Sequence, residues 1–329
     1  MKKWLGIGIL VLFSFFGLVA CGGSSSSSTD GFKVGMALTG SKTDGGWNQS
    51  AYEGLVQIQD ELGAEIVFNE NTQPSDYEKI LRDYAKEGCT LVIGHGFEFT
   101  DGAKVVAEEY PDVKFVVTSS EVSNGKNLGS IQNNAWEAGF LQGAFAALFY
   151  EGETIGTVGG QEIPPIKNSM VGYEAGAKYI KPDIKVLSAT TGNFDDANKV
   201  KEQSLSMFQQ GASILMVNAD HAARGWYEAA KEKGKFAIGS IAPEYEQYPE
   251  TLIACGEVDM PKAIFQVAQD VKDGKFNGEY YLKGVADDIV SLTYNPALES
   301  KVPEAVKTKI TELTSQIKSG ELSVKDYIK

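Results

Sequence analysis

The sequence predicts an α/β fold of two doubly wound parallel-sheet lobes joined by a hinge. Three observations predict it. Short apolar runs alternate with amphipathic stretches of about 10–15 residues, the pattern of right-handed βαβ units. The same order of units then recurs in the second half of the chain. The remaining tail is too short for a third lobe, so it completes the first two and forces the chain to cross between them several times.

The first strand is the run Phe32-Lys33-Val34-Gly35-Met36-Ala37-Leu38, which ends in a loop of Gly, Ser, Thr and Asp. Over 48–62, Ala51, Leu55, Ile58 and Leu62 form one apolar stripe and predict a helix. Residues 65–68 give the next strand. Ser75 is placed to cap a helix over 76–87. Strand 90–94, helix 101–109 and strand 113–118 follow, and helix 135–147 is the first crossover. Strand 154–159 restarts the series. Helix 169–179, strand 184–188, helix 196–209, strand 213–218, helix 222–233 and strand 236–239 continue it. Leu91-Val92-Ile93-Gly94, with Asp101 at the next helix start, corresponds to Ile214-Leu215-Met216-Val217 with Asp220. The tail carries helix 261–273, a strand near 280–285 and helix 303–319. The expected lobes are 32–134 with 258–284, and 135–257 with 285–329. A cleft should lie between the carboxyl ends of both sheets, where open α/β sheets bind ligands.

Residues 1–20 read as an address rather than as fold. Lys2 and Lys3 precede an apolar run too short to span a bilayer comfortably. Leu18-Val19-Ala20-Cys21 resembles the lipobox of bacterial lipoproteins, which implies cleavage before Cys21 and a lipid on its sulfur. Gly22-Gly23 and the serines 24–28 then make 21–31 a flexible tether. The expectation is an extracytoplasmic, monomeric protein lipid-anchored to a bacterial cell membrane through Cys21.

The chain has 329 residues, 43% of them hydrophobic, enough for a sizeable core. Its 44 acidic and 30 basic residues give a net charge of -14, which disfavours a nucleic-acid partner. Three cysteines are too few for a disulfide framework. Cys89 and Cys255 read as buried small hydrophobes, with a disulfide between them left open. With two histidines, His95 and His221, no metal site is expected. No Walker A, dinucleotide fingerprint, Gly-x-Ser-x-Gly elbow or His-Glu-x-x-His occurs outside the leader, so no cofactor is expected.

The loops at the strand ends instead suit a flat, polar-edged ring. Trp47 lies in a Gly-rich loop, where its face can stack on a ligand or staple the helix that follows. Asn48 beside it can contact ligand or act as an N-cap. Phe97 or Phe99 can sandwich a planar ligand against Trp47. Asp101 either reads a ring edge or favours its own helix start. Asn133 and Asn134 precede the crossover helix and can pair the donors and acceptors of a heterocycle. The second half repeats this combination with Phe194, Asn218 and Asp220, whose carboxylate suits an N–H-rich edge. His95 and His221 sit at corresponding strand ends, both facing the cleft in this reading, and His221 caps or lines its loop.

Several stretches in order resemble the basic membrane protein (BMP) family of ABC-transporter substrate-binding lipoproteins. They are Gly46-Trp47-Asn48-Gln49-Ser50, Phe97-Glu98-Phe99-Thr100-Asp101, Glu137-Ala138-Gly139-Phe140-Leu141-Gln142-Gly143 and Leu282-Lys283-Gly284. The resemblance implies a type I periplasmic-binding-protein fold, an ABC permease as partner and a purine-related solute. Lys283 matches a family Lys near the hinge. Nucleoside receptors of the family typically carry Gly-Val-Asp-x-Asp-Gln after a second-lobe strand; here Ile241 stands where the first Asp would be. An Ile cannot pair ribose hydroxyls, so the expected ligand is a free purine base. A nucleoside receptor and a sensory lipoprotein without a permease are the alternatives; a nucleoside-cleaving enzyme is disfavoured.

Overall fold

The structure, a computed structural model, describes residues 31–328. The leader, Cys21 and the tether through residue 30 lie outside the described residues. The first half lays down β1 (Lys33–Leu38), α1 (Trp47–Leu62), β2 (Glu65–Asn69), α2 (Tyr77–Lys86), β3 (Leu91–His95), α3 (Thr100–Glu109), β4 (Lys114–Thr118) and β5 (Leu128–Asn133). Helix α4 (Ala135–Phe149) leads to β6 (Thr154–Gly159), α5 (Pro164–Ile180), β7 (Lys185–Thr190), α6 (Ala197–Gln209), β8 (Leu215–Asn218), α7 (Arg224–Glu232), β9 (Ala237–Ile241) and β10 (Leu252–Val258). The tail adds α8 (Met260–Lys272), β11 (Tyr280–Lys283), β12 (Val290–Tyr294) and α9 (Glu304–Ser319).

The strands form two sheets of matching order, β11-β5-β4-β3-β1-β2 and β12-β10-β9-β8-β6-β7. The predicted two-lobed α/β fold is therefore present, and each sheet reverses its order beside β1 or β6. The sheets differ at one edge: β11 runs parallel to β5, whereas β12 runs antiparallel to β10. The predicted stripe of α1 holds, with Ala51, Leu55, Ile58 and Leu62 all buried. Ser75 does not cap α2. Pro74 opens a 3-10 turn over Pro74–Asp76, and the helix begins after it with no side-chain cap.

Three strands, β5, β10 and β12, are missing from the order of elements read from the sequence. β5 contains Gly129, Ser130, Gln132 and Asn133, yet all six of its residues are buried between β4 and β11. β12 alternates Val290, Leu292 and Tyr294 with Ser291 and Thr293, a pattern only five residues long, and its place is set by pairing with β10.

Helix α4 is buried almost all round, as a core helix must be when it is apolar on every face. It meets α5 backbone to backbone. A Cβ at Gly143 would lie 1.9 Å from the Tyr173 carbonyl oxygen, and one at Gly176 2.0 Å from that of Phe140. The chain passes between sheets after β5, β10 and β11, and these passages are stitched together. The Asn134 N–H donates to the Lys283 carbonyl (2.7 Å), and the Val285 N–H to Glu137 Oε2 (2.8 Å). The Asp259 N–H donates to the Ile289 carbonyl (2.8 Å).

Cys89 and Cys255 are both free and buried, so the disulfide left open is not formed. Cys89 enters the first sheet at β3, and Cys255 lies within β10 of the second. Among the described residues no helix is long and apolar enough to cross a membrane.

Candidate functional site

A cavity of about 420 Å³ opens between the carboxyl ends of the two sheets. The loops after β1 and β3 supply one wall and those after β6, β8 and β9 the other, so it sits where both strand orders reverse. Trp47, Phe97, Asn133, Phe194, Asn218 and Asp220 all line it.

The Trp47 wall is built by two residues behind it. Asp44 folds the loop: its Oδ1 accepts from the Gly46 and Gln49 N–H groups (2.9 and 3.0 Å). Its Oδ2 accepts from the N–H and side-chain amide of Asn48 (2.9 and 2.8 Å). Asp44 thus does the N-terminal capping work for α1. Asn48 Oδ1 accepts from the Gly40 N–H (3.0 Å) and the Thr39 hydroxyl (3.3 Å). Asn48 is buried and committed to the loop, and it does not line the cavity.

His95 is the second support. Its ring stacks on Trp47 with centroids 4.2 Å apart. Its Nε2 lies 3.1 Å from the Trp47 carbonyl, which can only accept, so Nε2 carries the proton. Nδ1 then accepts from the Thr118 hydroxyl (2.9 Å), whose oxygen accepts from the Gly96 N–H (2.9 Å). Burial, opposed by the Trp47 carbonyl and the charge of Asp44, pushes its pKa down to about 3. His95 is a neutral, fully buried support and does not face the cleft, whereas His221 lines the cavity.

The opposite wall carries Phe194, Asn218 and Asp220. Phe194 lies across Gly160, where a Cβ would come within 2.3 Å of its ring. Asp220 opens a 3-10 turn with φ 47°. Its Oδ1 is buried without a hydrogen-bond partner. Burial first, then the negative charge of Asp44, push its pKa up to about 7, against the pull of the Trp47 N–H. Beside it the Tyr227 hydroxyl donates to Glu244 Oε2 (2.9 Å), and the Tyr227 ring stacks on Tyr248 at 3.8 Å. Gln142 donates to the Gly239 carbonyl (2.7 Å) and to the Ser240 hydroxyl (3.1 Å), fixing the end of β9 where Ile241 turns into the cavity at φ 75°.

Three other candidates lie apart. Asp101 points to solvent from α3 and pairs with Lys104 at 3.0 Å; its side chain is 94% exposed. Asn134 caps α4 through the Glu137 N–H. Lys283 pairs with Asp287 at 3.2 Å where β11 hands the chain to the second sheet. Sequence reasoning missed Asp44 as the loop's organiser, and also the Tyr227–Glu244 pair, which no motif marks.

The profile of the Bmp family, described as ABC transporter substrate-binding protein PnrA-like, matches residues 32–327. Basic membrane protein A of Borreliella burgdorferi is 28% identical over 323 residues, which cover 96% of this chain and 94% of that protein. A purine-binding protein of Brucella abortus is 24% identical over 304 residues, covering 92% of this chain and 85% of that one. Among solved structures, an ABC transporter solute-binding protein from Aeropyrum pernix aligns with a TM-score of 0.80 at 23% identity, over 89% of this chain and 92% of that one.

Proposed function

The chain belongs to the Bmp family of PnrA-like ABC transporter substrate-binding proteins, and from that premise we propose that it captures a purine base between its lobes and delivers it to an ABC permease. The carrying observation is the convergence of aromatic faces, Trp47 and Phe194, with a partnerless buried carboxyl, Asp220, in one cavity. Stacking and edge pairing are the two interactions a purine offers. The purine-binding relative supports the same solute class.

Ile241 favours the base over the nucleoside. It places an apolar side chain in the cavity where family nucleoside receptors carry an acid, and a buried ribose hydroxyl left unpaired there costs about 1–3 kcal/mol. The reading is capture without turnover: ligand bridges the lobes and favours the closed hinge through contacts that an open state lacks. We assign the lobes as 32–134 with 258–284 and 135–257 with 285–329. Cys21, in its lipobox-like setting, would tether them outside the cytoplasm.

The test is mass spectrometry of what the freshly purified protein releases on denaturation, paired with calorimetry against adenine, guanine, hypoxanthine, xanthine and their nucleosides. A released or tightly bound free base, with weak nucleosides, supports the reading. Tight nucleoside binding would show that residues other than position 241 hold the ribose. Binding of no purine would remove the ligand assignment and leave the fold.

A further inference from the structure

Asp220 is unlike the other sheltered carboxylates of the cavity, Glu98 being exposed. Asp44 accepts four hydrogen bonds from its own loop, and Glu244 accepts one from Tyr227. Asp220 Oδ1 is out of solvent and has none. A buried anion without a partner is costly, and the ordinary remedies are a cation or a proton.

Among the described residues no cation stands against it. The charged groups that act on Asp220 are Asp44 from the β1–α1 loop, Asp195 from the β7–α6 loop and Glu244 beyond β9, all acidic. Arg224 and His221, from the same turn and the start of α7, line the cavity but form no ion pair with Asp220 among the described residues. The Trp47 N–H is the single group pulling toward ionisation. Gly46 packs against it from the other wall, where a Cβ would stand 3.3 Å from Asp220 Oδ1, so a ligand edge must reach the carboxyl from the cavity side.

We propose that Asp220 meets the ligand as a neutral carboxylic acid, donating one hydrogen bond and accepting one, so that the site selects a purine edge with a donor beside an acceptor over an edge with two donors. This rests on the purine reading above. Adenine presents such an edge, its amino N–H next to a ring nitrogen. An ionised Asp220 could only accept, and would leave that ring nitrogen facing a carboxylate oxygen. The carboxyl already titrates at about 7 without ligand, so occupancy by such an edge should raise it further, by linkage.

The experiment is calorimetric titration of the purified protein with adenine between about pH 6 and about pH 8.5, for the parent and for Asp220→Asn. The parent should bind with constant affinity on the acid side and lose about tenfold per pH unit above about 7. Asp220→Asn keeps a donor and an acceptor at every pH, so its slope should vanish; Asp220→Ala should lose affinity across the whole range. Adenine affinity that is flat in the parent, or that tightens as pH rises, overturns the proposal while leaving the purine reading intact. A slope that persists in Asp220→Asn assigns the proton to another group, Glu244 first, and also overturns it. A protein that binds no purine at any pH overturns the purine reading, and this proposal with it.

Discussion

Acidification should act on this fold through two buried groups of opposite sign. His95 has both ring nitrogens in use and no charge partner, and its pKa lies at about 3. Once unfolded it takes up a proton below about pH 6.5. Stability from His95 is therefore complete above about pH 6.5 and drains as pH falls toward about 3. By pH 5 the loss is about 2 kcal/mol. Asp220 runs the other way. Its carboxyl sits at about 7, above the ordinary carboxylate value of 3.8, so the folded state holds a proton that the unfolded state releases. Lowering the pH from 7 to 5 should return about 2 kcal/mol of stability. The two contributions nearly cancel, and the parent should show little net change from this pair. Single variants should separate them. His95→Gln should become more stable by about 2 kcal/mol relative to the parent's own change from pH 7 to pH 5. Asp220→Asn should become less stable by a similar amount over the same interval. Glu137, Glu244 and Glu257, also raised by burial, are common to all three proteins and drop out of the comparison. Urea unfolding followed by tryptophan fluorescence at the two pH values measures each term. If His95→Gln and the parent respond identically to pH, the neutral buried support inferred for His95 is wrong.

Trp47→Ala should weaken purine binding by about 1–3 kcal/mol, read by calorimetry, with the fold intact by circular dichroism. Ile241→Asn should tighten nucleoside binding by about 1–3 kcal/mol and leave the free base nearly unaffected. The same variant suits a left-handed backbone better than a β-branched residue does, so its thermal midpoint should not fall. Gly143→Val should destabilise the protein by at least about 1–3 kcal/mol in urea unfolding, since its Cβ meets the Tyr173 carbonyl oxygen and α4 and α5 must separate. Asp101→Ala should leave purine affinity unchanged within about twofold, because that carboxylate faces solvent beside Lys104.

The pairing of Asp101 with Asp220 shows where sequence correspondence breaks down. Both follow an apolar strand and precede a helix, so they look equivalent along the chain. In three dimensions Phe97 opens the 3-10 turn after β3 as Asp220 opens the one after β8. Asp101 comes a helical turn later and is carried to the outside. His95 and His221 diverge for the same reason: one is the last residue of a strand, under Trp47, and the other stands in the turn. A shift of a few residues in where a strand ends decides which side chain meets the cavity.

Local physics written along the chain determined much of this protein. The alternation of buried strand runs with striped helices, its recurrence, and the flanking Gly, Asn and Asp of the loops are short-range patterns, and they sufficed for the two-lobed α/β fold. They also placed Trp47, Phe97, Asn133, Phe194, Asn218 and Asp220 at strand ends, and the folded chain brings these to one cavity. Tertiary structure alone decided the rest. β5 is a strand because neighbours bury it on both sides, although its own residues are mostly small or polar. Asn48 is spent on Asp44, and Lys283 on Asp287; each partner is only four residues away, but the loop fold and the crossing between sheets turn the pair together. Asp220 Oδ1 lacks a partner because, among the described residues, no cation is brought to it. Burial, and the charges gathered around Asp220, are set by segments far apart in sequence, and no local pattern encodes them.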